Sequence, residues 1–478
     1  MRDIGNSTAI QNMLHHFKVS TDDLQKVISE ALSKGGDYAD LFFEHTFSNN
    51  ISLRDGEVNR ASSNIDYGVG IRVVIGDQTG YAYVENTRLD DMLRAARTAA
   101  GIANMPKEQN PINVTPLTFN NYYKIRKEWP DVSVEDKKRF VQQLNDRVFD
   151  LDRRVVKASV SLTDSTSYVL FFNSQGVLSS DYRPMGILAV SCTMEQNGSL
   201  ESGYASRAYR KGFEFLTLHL IETLAHEAVA QTSLMFEAIK PKGGEMPVVM
   251  GAGGSGILLH EAIGHAFEAD FNRKNVSIFS DQLGKQVCNP HINVVDDGTV
   301  ENARGAINVD DEGVAGQKTY IVKDGVLESY LHDRISARHY GVQSTGNGRR
   351  QSFRYTPLPR MRVTYMESGN VPEEDMIKSV EYGVYVDNFT NGQVQIGAGD
   401  FTFFVKSGYL IEKGKLTQPI KDINIIGNGP QALADITMVG NNLKIDEGAW
   451  TCGKDGQSVP VGQGLPSVLV SKLTVGGE

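Results

Sequence analysis

Two histidines flank a glutamate in the run His-Glu-Ala-Ile-Gly-His at residues 260–265. Imidazoles ligate divalent metals, and a neighbouring carboxylate can act as the general base for a metal-activated water. The usual zinc-peptidase pattern places its histidines four apart on one face of a helix. Here His260 and His265 are five apart, and each α-helical residue advances by about 100°, so the two rings would point well away from each other. A metal site therefore requires a distorted helix, and we expect Gly264 to permit the distortion.

The alternative is that these histidines are unrelated. The apolar flanks of the run predict a buried helix, and a buried Glu261 with no basic neighbour in sequence needs a partner, which a divalent cation supplies. The run His-Glu-Ala-Val-Ala at residues 226–230 begins in the same way but lacks the second histidine. We predict that it forms a solvated pair on an ordinary amphipathic helix.

A catalytic zinc usually has three protein ligands and one position for water. The candidates for the third ligand are Glu268, Asp270, Cys288, His291 and Cys452. Glu268 could instead hold an imidazole, because it follows His265 by three residues. Cys452 begins the compact turn Cys-Gly-Lys-Asp-Gly-Gln, where Lys454 favours a thiolate. The alternative for Cys452 is a small buried hydrophobic residue, the usual fate of a free cysteine.

Gly251, Gly253 and Gly256 match the G-x-G-x-x-G pattern of a dinucleotide-binding turn, which would indicate an oxidoreductase. That fold also requires a second parallel strand ending in an acidic residue about 20 positions later. The sequence at residues 268–284 is instead polar and broken. We therefore expect the glycines to allow close backbone packing, or close approach of a substrate, before the histidine helix.

The composition is that of a globular chain of 478 residues, 40% hydrophobic and 22% charged, with a net charge of −10. The sequence has no long block of Lys and Arg, which argues against a protein that grips nucleic acid phosphates. It also has no apolar run of membrane-spanning length and no apolar signal segment, so we predict a soluble, cytoplasmic protein. Three widely spaced cysteines make a disulfide framework improbable.

The elements around these motifs predict an α+β fold in two domains. The first domain covers residues 1–240, and within it the order helix, short antiparallel strand-like runs, helix occurs twice over residues 20–236. This repeat suggests an internal duplication or a coincidence of common elements. A linker rich in Pro, Gly and Lys follows at 238–247. Residues 241–478 alternate short strand-like runs with glycine turns, as in a mostly-β sandwich or pseudo-barrel carrying one embedded site helix. We expect the residues before Ser20 to be disordered.

Five segments together resemble the TldD branch of the TldD/PmbA peptidases. They are HEAIGHAFEADFNRK at 260–274, GRRQSFRYTPLPRM at 348–361, GVYVDNFTNGQVQIGAGDF at 383–401, GYLIEKGKLTQPIKDINIIGNGPQAL at 408–433 and CGKDGQSVPVGQGLP at 452–466. The resemblance is strongest over residues 247–478. It implies a zinc metallopeptidase in which His260, His265 and Cys452 ligate the metal and Glu261 is the general base.

The resemblance also implies a substrate and a partner. Short or unfolded peptides would enter an enclosed cavity, and the chain would form a dimer with a TldE/PmbA-like protein or with itself. The sister branch TldE/PmbA lacks the metal motif, so the intact helix assigns this chain to the catalytic branch. Some relatives carry the label of a modulator of DNA gyrase, but the charge pattern here gives no support for direct DNA binding or for a non-catalytic regulator.

The mechanism that follows is a hypothesis of zinc-assisted peptide hydrolysis in which Glu261 moves the proton. Strand-like segments with glycine turns would suit an extended peptide bound by strand addition. The sequence does not identify the group that stabilises the oxyanion. Candidates with a more ordinary structural explanation are Tyr320, Tyr330, Arg349 and Arg350.

Overall fold

The computed structural model describes residues 7–105 and 112–477. Its α-helices are α1 (Ser7–Phe17), α2 (Thr21–Ala31), α3 (Leu89–Ala100), α4 (Val134–Leu151), α5 (Leu218–Met235), α6 (Ala269–Arg273), α7 (Arg334–Tyr340), α8 (Glu373–Ser379) and α9 (Gly429–Ala434). The expectation of disorder before Ser20 is wrong for the described part of that segment, because α1 packs its apolar face into the core. Residues 1–6, to which the same expectation applied, lie outside the described residues.

The N-terminal half is built on one antiparallel sheet. Its strands are β1 (Tyr38–Arg54), β2 (Glu57–Ile75), β3 (Gln78–Val84), β4 (Thr115–Pro116), β5 (Val155–Asn173), β6 (Val177–Gln196) and β7 (Ser199–Tyr209). The order across the sheet is β3-β2-β1-β5-β6, and β7 and the short β4 both pair with β6. Two three-stranded meanders therefore meet where β1 pairs with β5, and the helix pairs α2–α3 and α4–α5 each cover one meander. The predicted repeat of elements is present in this arrangement.

The strands of this sheet are longer than the short runs that the sequence suggested. β1, β2, β5 and β6 contain 17, 19, 19 and 20 residues. The runs were interrupted by polar stretches such as residues 57–66, but pairing continues through them because the ladder is made by backbone groups. Polar side chains on the exposed part of a strand do not end it.

The C-terminal half holds two larger sheets. Its strands are β8 (Gly244–Met250), β9 (Val294–Asp297), β10 (Lys318–Lys323), β11 (Val326–Leu327), β12 (Gly348–Arg349), β13 (Leu358–Pro359), β14 (Val363–Met366), β15 (Tyr382–Val394), β16 (Asp400–Glu412), β17 (Lys415–Ile420), β18 (Asn424–Asn428), β19 (Ile436–Val439), β20 (Lys444–Ile445), β21 (Thr451–Lys454), β22 (Gln457–Pro460), β23 (Gly462–Leu465) and β24 (Val468–Gly476). One sheet closes on itself, because the path β15-β8-β24-β18-β16 is completed by pairing of β16 with β15. The predicted pseudo-barrel is confirmed.

The second sheet, in the order β11-β10-β9-β14-β23-β20, packs beside the closed one. The histidine segment lies between them, in contact with β14 and β23 of the second sheet and with β15 and β16 of the closed sheet. The expectation of a single embedded helix is wrong, since α6 to α9 also belong to this half. They are short and irregularly spaced, so their periodicity is weak in the sequence.

Buried polar contacts join the two halves. Arg72 forms ion pairs with Asp40 of the same sheet and, at 2.7 Å, with Glu312 of the C-terminal half. The Phe353 amide donates to Glu44 at 2.8 Å. Such groups are costly to bury unpaired, so these contacts fix how the halves meet. Among the described helices, none is both long and apolar enough to cross a membrane.

Candidate metal centre

The segment Leu258–Gly264 is a π-helix rather than an α-helix. The His265 amide donates to the carbonyl of His260, five residues earlier. A π-turn closes over five residues instead of four, so two side chains five apart come to the same side of the helix. The rings of His260 and His265 accordingly have centroids 5.1 Å apart, with an angle of 81° between their planes. The predicted distortion is present.

Gly264 does not act in the way we expected. Its φ of −59° and ψ of −49° are ordinary right-handed helical values, which any residue adopts. A Cβ at this position would instead stand 2.3 Å from the Met361 Sδ and 2.8 Å from the Leu259 carbonyl oxygen. Glycine is therefore required by close packing against the Met361 side chain and the backbone of the π-helix, and not by backbone freedom.

Cys452 reaches the histidines from the hairpin of β21 and β22. The hairpin turns at Asp455 and Gly456, both with positive φ, which is the backbone of the tight turn that Asp-Gly favours. The Cys452 Sγ lies 3.4 Å from the His265 Nε2. One ligand atom from each of His260, His265 and Cys452 lies within 4.8 Å of the others, and all three residues are buried.

The Cys452 thiol is set up to ionise. Burial raises its pKa, but the neighbouring His260 and His265 outweigh burial and bring the pKa well below the ordinary value. Two imidazole nitrogens and one thiolate are a donor set that zinc accepts. His260 Nδ1 is buried with no hydrogen-bond partner among the described residues, as expected for a ring whose partner is a group outside the protein, such as a metal ion or a water. The residues present therefore fit a zinc ion.

A chain of charged side chains supports His265 from behind. Its Nδ1 lies 2.9 Å from the Glu268 Oε2, which in turn accepts from the Lys454 Nζ at 3.0 Å. The Lys454 Nζ also donates to Asp270 at 2.7 Å and to the Pro359 carbonyl at 3.1 Å. Burial raises the pKa of Glu268, but the neighbouring Lys454 and His265 outweigh burial and bring the pKa down to about 2. An ionised Glu268 fixes the imidazole through its Nδ1.

This arrangement changes the roles expected for two residues. Lys454 does not lie against the Cys452 thiol, because its ammonium group is held by Glu268 and Asp270. Its effect on the centre passes through Glu268 to His265. Glu268 could have been a third metal ligand or a group that holds an imidazole, and the structure shows it in contact with the imidazole of His265.

Glu261 is half-buried and immediately follows His260 on the π-helix. Its Cγ lies 3.5 Å from the position that a Cβ on Gly392 of β15 would take. A side chain at residue 392 would also meet the Phe403 ring at 2.3 Å, so this position has room only for glycine. Gly392 thus leaves the space beside Glu261 open.

Among the described residues, Cys288, His291 and Asp270 are not part of the group of clustered ligand atoms. Cys288 is buried with its Sγ 3.9 Å from the Gly325 carbonyl, and burial raises its pKa to about 12. His291 is exposed. Asp270 is engaged by Lys454, as described above. Cys192 is buried in the N-terminal core, which fits the role of a small hydrophobic residue.

The oxyanion candidates have structural contacts. Tyr320 donates to Glu367 at 3.0 Å, and Tyr330 donates to the Phe279 carbonyl at 2.7 Å. Arg349 and Arg350 donate mainly to backbone carbonyls. None of these contacts directs the group towards the histidine and cysteine cluster.

Arg360 has a role that no sequence pattern indicates. Its guanidinium is completely buried and donates to the carbonyl of Cys452 at 2.7 Å and to that of Gln457 at 3.3 Å. It therefore holds both strands of the hairpin that carries Cys452. Arginine is seldom buried, and nothing in the local pattern distinguishes this one from the exposed arginines of the chain.

Sequence models of one family match most of the chain. Residues 39–103 match PmbA/TldA metallopeptidase domain 1, residues 127–236 match the central domain, and residues 243–477 match the C-terminal domain. The chain belongs to the PmbA/TldD metallopeptidase family. It is therefore a peptidase by family, and the histidine and cysteine cluster lies in the C-terminal domain.

Relatives of this peptidase match over nearly their whole length. The metalloprotease TldD homolog of Haemophilus influenzae is 41% identical, over 97% of this chain and 98% of that protein. The homolog of Buchnera aphidicola from Acyrthosiphon pisum is 37% identical, over 98% of each chain.

Solved structures share the fold of this peptidase at low identity. A Thermotoga maritima protein described as a modulator of a DNA gyrase superposes with a TM-score of 0.78, at 21% identity and over 96% of this chain and all of that one. TldE from Thermococcus kodakarensis superposes with a TM-score of 0.73, at 18% identity and over 95% of this chain and all of that one.

The glycine motif of this metallopeptidase serves packing. β8, which precedes the motif, pairs in parallel with β15, far along the chain, and not with a strand directly after the histidine helix. A Cβ on Gly251 would stand 2.5 Å from the Tyr385 hydroxyl, and one on Gly256 would stand 2.8 Å from the Gly464 amide. These glycines let strands and the start of the π-helix approach one another, which disfavours the oxidoreductase interpretation.

Proposed function

We propose that this peptidase is zinc-dependent and hydrolyses peptide bonds in short or unfolded peptides. His260, His265 and Cys452 would hold the metal. The observation that carries this proposal is the meeting of three buried ligand atoms within 4.8 Å, from a π-helix and from a distant hairpin. The names of the relatives, which are metalloproteases, support it.

Bound zinc would lower the pKa of a coordinated water and polarise the scissile carbonyl, less strongly with a thiolate ligand than with a third imidazole. Glu261 would accept the proton of the attacking water and donate it to the leaving amine. Glu268 and Lys454 would hold His265 in one orientation. Arg360 would hold the backbone of Cys452. The ligands are thus set in place before the substrate arrives.

We also propose an extended substrate, a partner and a cellular place. Strands of the C-terminal half could bind the peptide by strand addition. Because TldE from Thermococcus kodakarensis has this fold, a dimer with a TldE-like protein is the first candidate, and a homodimer is the second. We place the protein in the cytoplasm and the boundary of its two domains at residue 240.

Metal analysis tests the proposed ligand set. Wild type purified without chelator should contain about one zinc per chain, and Cys452→Ala should contain much less. Cys288→Ala is the matched control, since this second buried cysteine lies outside the cluster, and its zinc content should equal that of wild type. Unchanged zinc in Cys452→Ala would remove the third ligand, and absence of metal from wild type would remove the proposal. A chelator should abolish hydrolysis.

A further inference from the structure

A cavity of about 290 Å³ lies where the N-terminal sheet meets the C-terminal half. Residues of β1, β5 and β6 form one wall, and residues of the C-terminal half form the other. None of the three proposed zinc ligands lines it. The lining contains the arginines Arg183, Arg210, Arg304, Arg349 and Arg350.

Two of these arginines have carboxylate partners. Arg183 forms ion pairs with Asp181 at 2.8 Å and with Asp311 at 2.7 Å. Arg350 lies 3.6 Å from Asp40. These two charges are therefore compensated within the protein.

The other three arginines have no such partner. Arg304 donates to the Trp450 carbonyl at 2.8 Å and to the Thr451 hydroxyl at 3.0 Å. Arg349 donates to the carbonyls of Met361 and Pro460. Within the described ranges 7–105 and 112–477, no carboxylate lies within 4.0 Å of the guanidinium of Arg304, Arg349 or Arg210.

Arg210 is the most unusual of the three. It is only 5% exposed, and its Nε has no hydrogen-bond partner among the described residues. Its guanidinium stands 5.4 Å from the centre of the Tyr123 ring. An arginine that is buried with an unsatisfied N–H is costly, unless the site normally holds a group that accepts from it.

Arg210 is close enough to Arg304 and to Arg349 to disfavour the charged forms of both. Burial lowers the pKa of Arg304 to about 10, with a further lowering from Arg210. Burial also lowers the pKa of Arg349 to about 9, again with a contribution from Arg210. Arg210 therefore lies at the centre of an excess of positive charge.

The acidic residues of the lining are already engaged. Glu44 accepts from the Thr46 hydroxyl and the Phe353 amide. Asp310 accepts from the amides of residues 312, 314 and 348. Asp311 is bound by Arg183. Asp311 raises the pKa of Arg210 and Arg349, but among the described residues none of these carboxylates forms an ion pair with Arg210, Arg304 or Arg349.

We propose that this cavity binds a carboxylate of the peptide substrate, through Arg210 with Arg304 and Arg349. The planar guanidinium matches a carboxylate in two-point hydrogen bonding, and a bound anion removes the mutual repulsion of the three groups. The carboxylate is the C-terminus of the peptide or an acidic side chain. This inference rests on the proposed function, because it takes the substrate to be a peptide.

The cavity is joined to the metal centre by the β21–β22 hairpin. Arg304 contacts Thr451 and Arg349 contacts Pro460, and these two residues are paired across the hairpin. The next pair is Cys452 with Val459. A carboxylate in the cavity would thus be held by arginines that brace the same hairpin as the cysteine ligand, and would anchor the peptide relative to it.

Calorimetric binding to the zinc-loaded Glu261→Gln protein tests the proposal without turnover. The probes are an unstructured Ala/Ser/Thr peptide with a free C-terminus, the same peptide with a C-terminal amide, and two amidated peptides that differ by one internal Glu or Gln. We expect the free acid to bind on the order of 10- to 100-fold more tightly than its amide, or the Glu peptide to show the same advantage over the Gln peptide. Tighter binding of the free acid would show that the cavity binds the C-terminus of the peptide. Tighter binding of the Glu peptide would show that it binds an acidic side chain.

The preference for the carboxylate should disappear when the substitution Arg210→Gln is combined with Glu261→Gln in the zinc-loaded protein. It should persist when Arg97→Gln is combined with Glu261→Gln instead. Arg97 is the matched control because it forms a surface ion pair with Glu30. Arg304→Gln, at a half-buried position, should weaken the preference even if Arg210→Gln fails to fold.

Equal binding of both peptide pairs, or a preference unchanged in Arg210→Gln or Arg304→Gln, would overturn the carboxylate site while leaving the zinc peptidase intact. A zinc-loaded protein that binds none of the peptides would overturn the proposed substrate and this site together.

Discussion

The chain contains the dipeptide His-Glu on two helices, in surroundings that differ in every respect that matters for chemistry. His226 and Glu227 lie on α5, a regular α-helix, where the His226 side chain is 61% exposed. His260 and Glu261 lie on a π-helix between two sheets, and His260 is buried. The residues that follow are alike, with Ala230 at the place of Gly264 and Gln231 at that of His265.

The difference shows that the dipeptide alone does not bring candidate metal ligands together. On α5, His226 lies 3.5 Å from Glu222, and Glu227 is paired with Arg207. On the π-helix, the second imidazole is brought round by the five-residue turn, and Cys452 and Glu268 meet it on two sides. Helix type and burial, rather than residue type, separate the two segments.

The largest expected effect distinguishes the two glutamates. Glu261→Gln removes the proposed general base and should lower the hydrolysis rate by about 10²- to 10⁴-fold while the zinc content stays unchanged. Glu227→Gln is the matched substitution on α5 and should leave the rate unchanged. Hydrolysis assays with metal analysis check both variants. Full activity of Glu261→Gln would show that Glu261 is no more important for hydrolysis than Glu227.

Glu44 tests the effect of burying a carboxylate that has no charged partner in direct contact. Desolvation raises the pKa of Glu44 to about 7. The folded state then keeps a proton that the unfolded chain loses above its ordinary pKa of about 4.5, so this contribution to stability is present below pH 4.5 and lost as the pH rises through 7. Glu44→Gln should therefore be the more stable protein above pH 7, by about 3 kcal/mol. Thermal unfolding from pH 4 to pH 8 measures it, and parallel curves for the two proteins would contradict it.

The support of the second imidazole is tested at Glu268. Glu268→Gln replaces the carboxylate that fixes His265 by a neutral amide, and we expect a loss of about 10- to 100-fold in zinc affinity. The control is Glu222→Gln, which removes the carboxylate beside the exposed His226 and should change neither zinc affinity nor activity. Competition with a zinc chelator measures the affinity. Equal affinity of wild type and Glu268→Gln would show that the contact has no part in holding the metal.

The smallest expected effect concerns the fifth residue of each run. Gly264→Ala places a methyl group against Met361 and the Leu259 carbonyl, and should cost about 1–3 kcal/mol through overpacking. The opposite exchange on α5, Ala230→Gly, lies at an exposed position and should cost about 1 kcal/mol through helix propensity alone. Gly264→Ala should lower both the free energy of unfolding and the zinc content. Ala230→Gly should lower only the free energy of unfolding. A normal zinc content in Gly264→Ala would mean that the π-helix tolerates the methyl group.

Local patterns predicted much of the fold. The compact Asp-Gly turn after Cys452 and the repeated order of helices and strands are both present. The lengths of β1 and β5 were underestimated, because side-chain polarity marks exposure and not the end of backbone pairing. Closure of the C-terminal sheet depends on β15 meeting both β8 and β16, which no local pattern encodes.

The candidate site was predictable only in part, for the same reason. The spacing of the histidines required a distorted helix, and this is present. The choice of Cys452 among the candidate ligands came from family resemblance, because its contact with His265 spans 187 positions. The contact of Lys454 with Glu268, the burial of Arg360 and the packing of Met361 on Gly264 all arise from tertiary structure. The sequence therefore indicated the residues that cluster better than the residues that hold them in place.

The long separation between His265 and Cys452 has a consequence for the synthesis of this peptidase. On the proposed ligand set, a growing chain that has already made the π-helix still lacks the sulfur ligand until the β21–β22 hairpin is translated and folded. Such an intermediate could not retain its metal as the finished protein does, and fragments released by early termination would lack the ligand too. On this ligand set, the metal site would be complete only after the β21–β22 hairpin has folded against the π-helix, so hydrolysis would follow the folding of the C-terminal half.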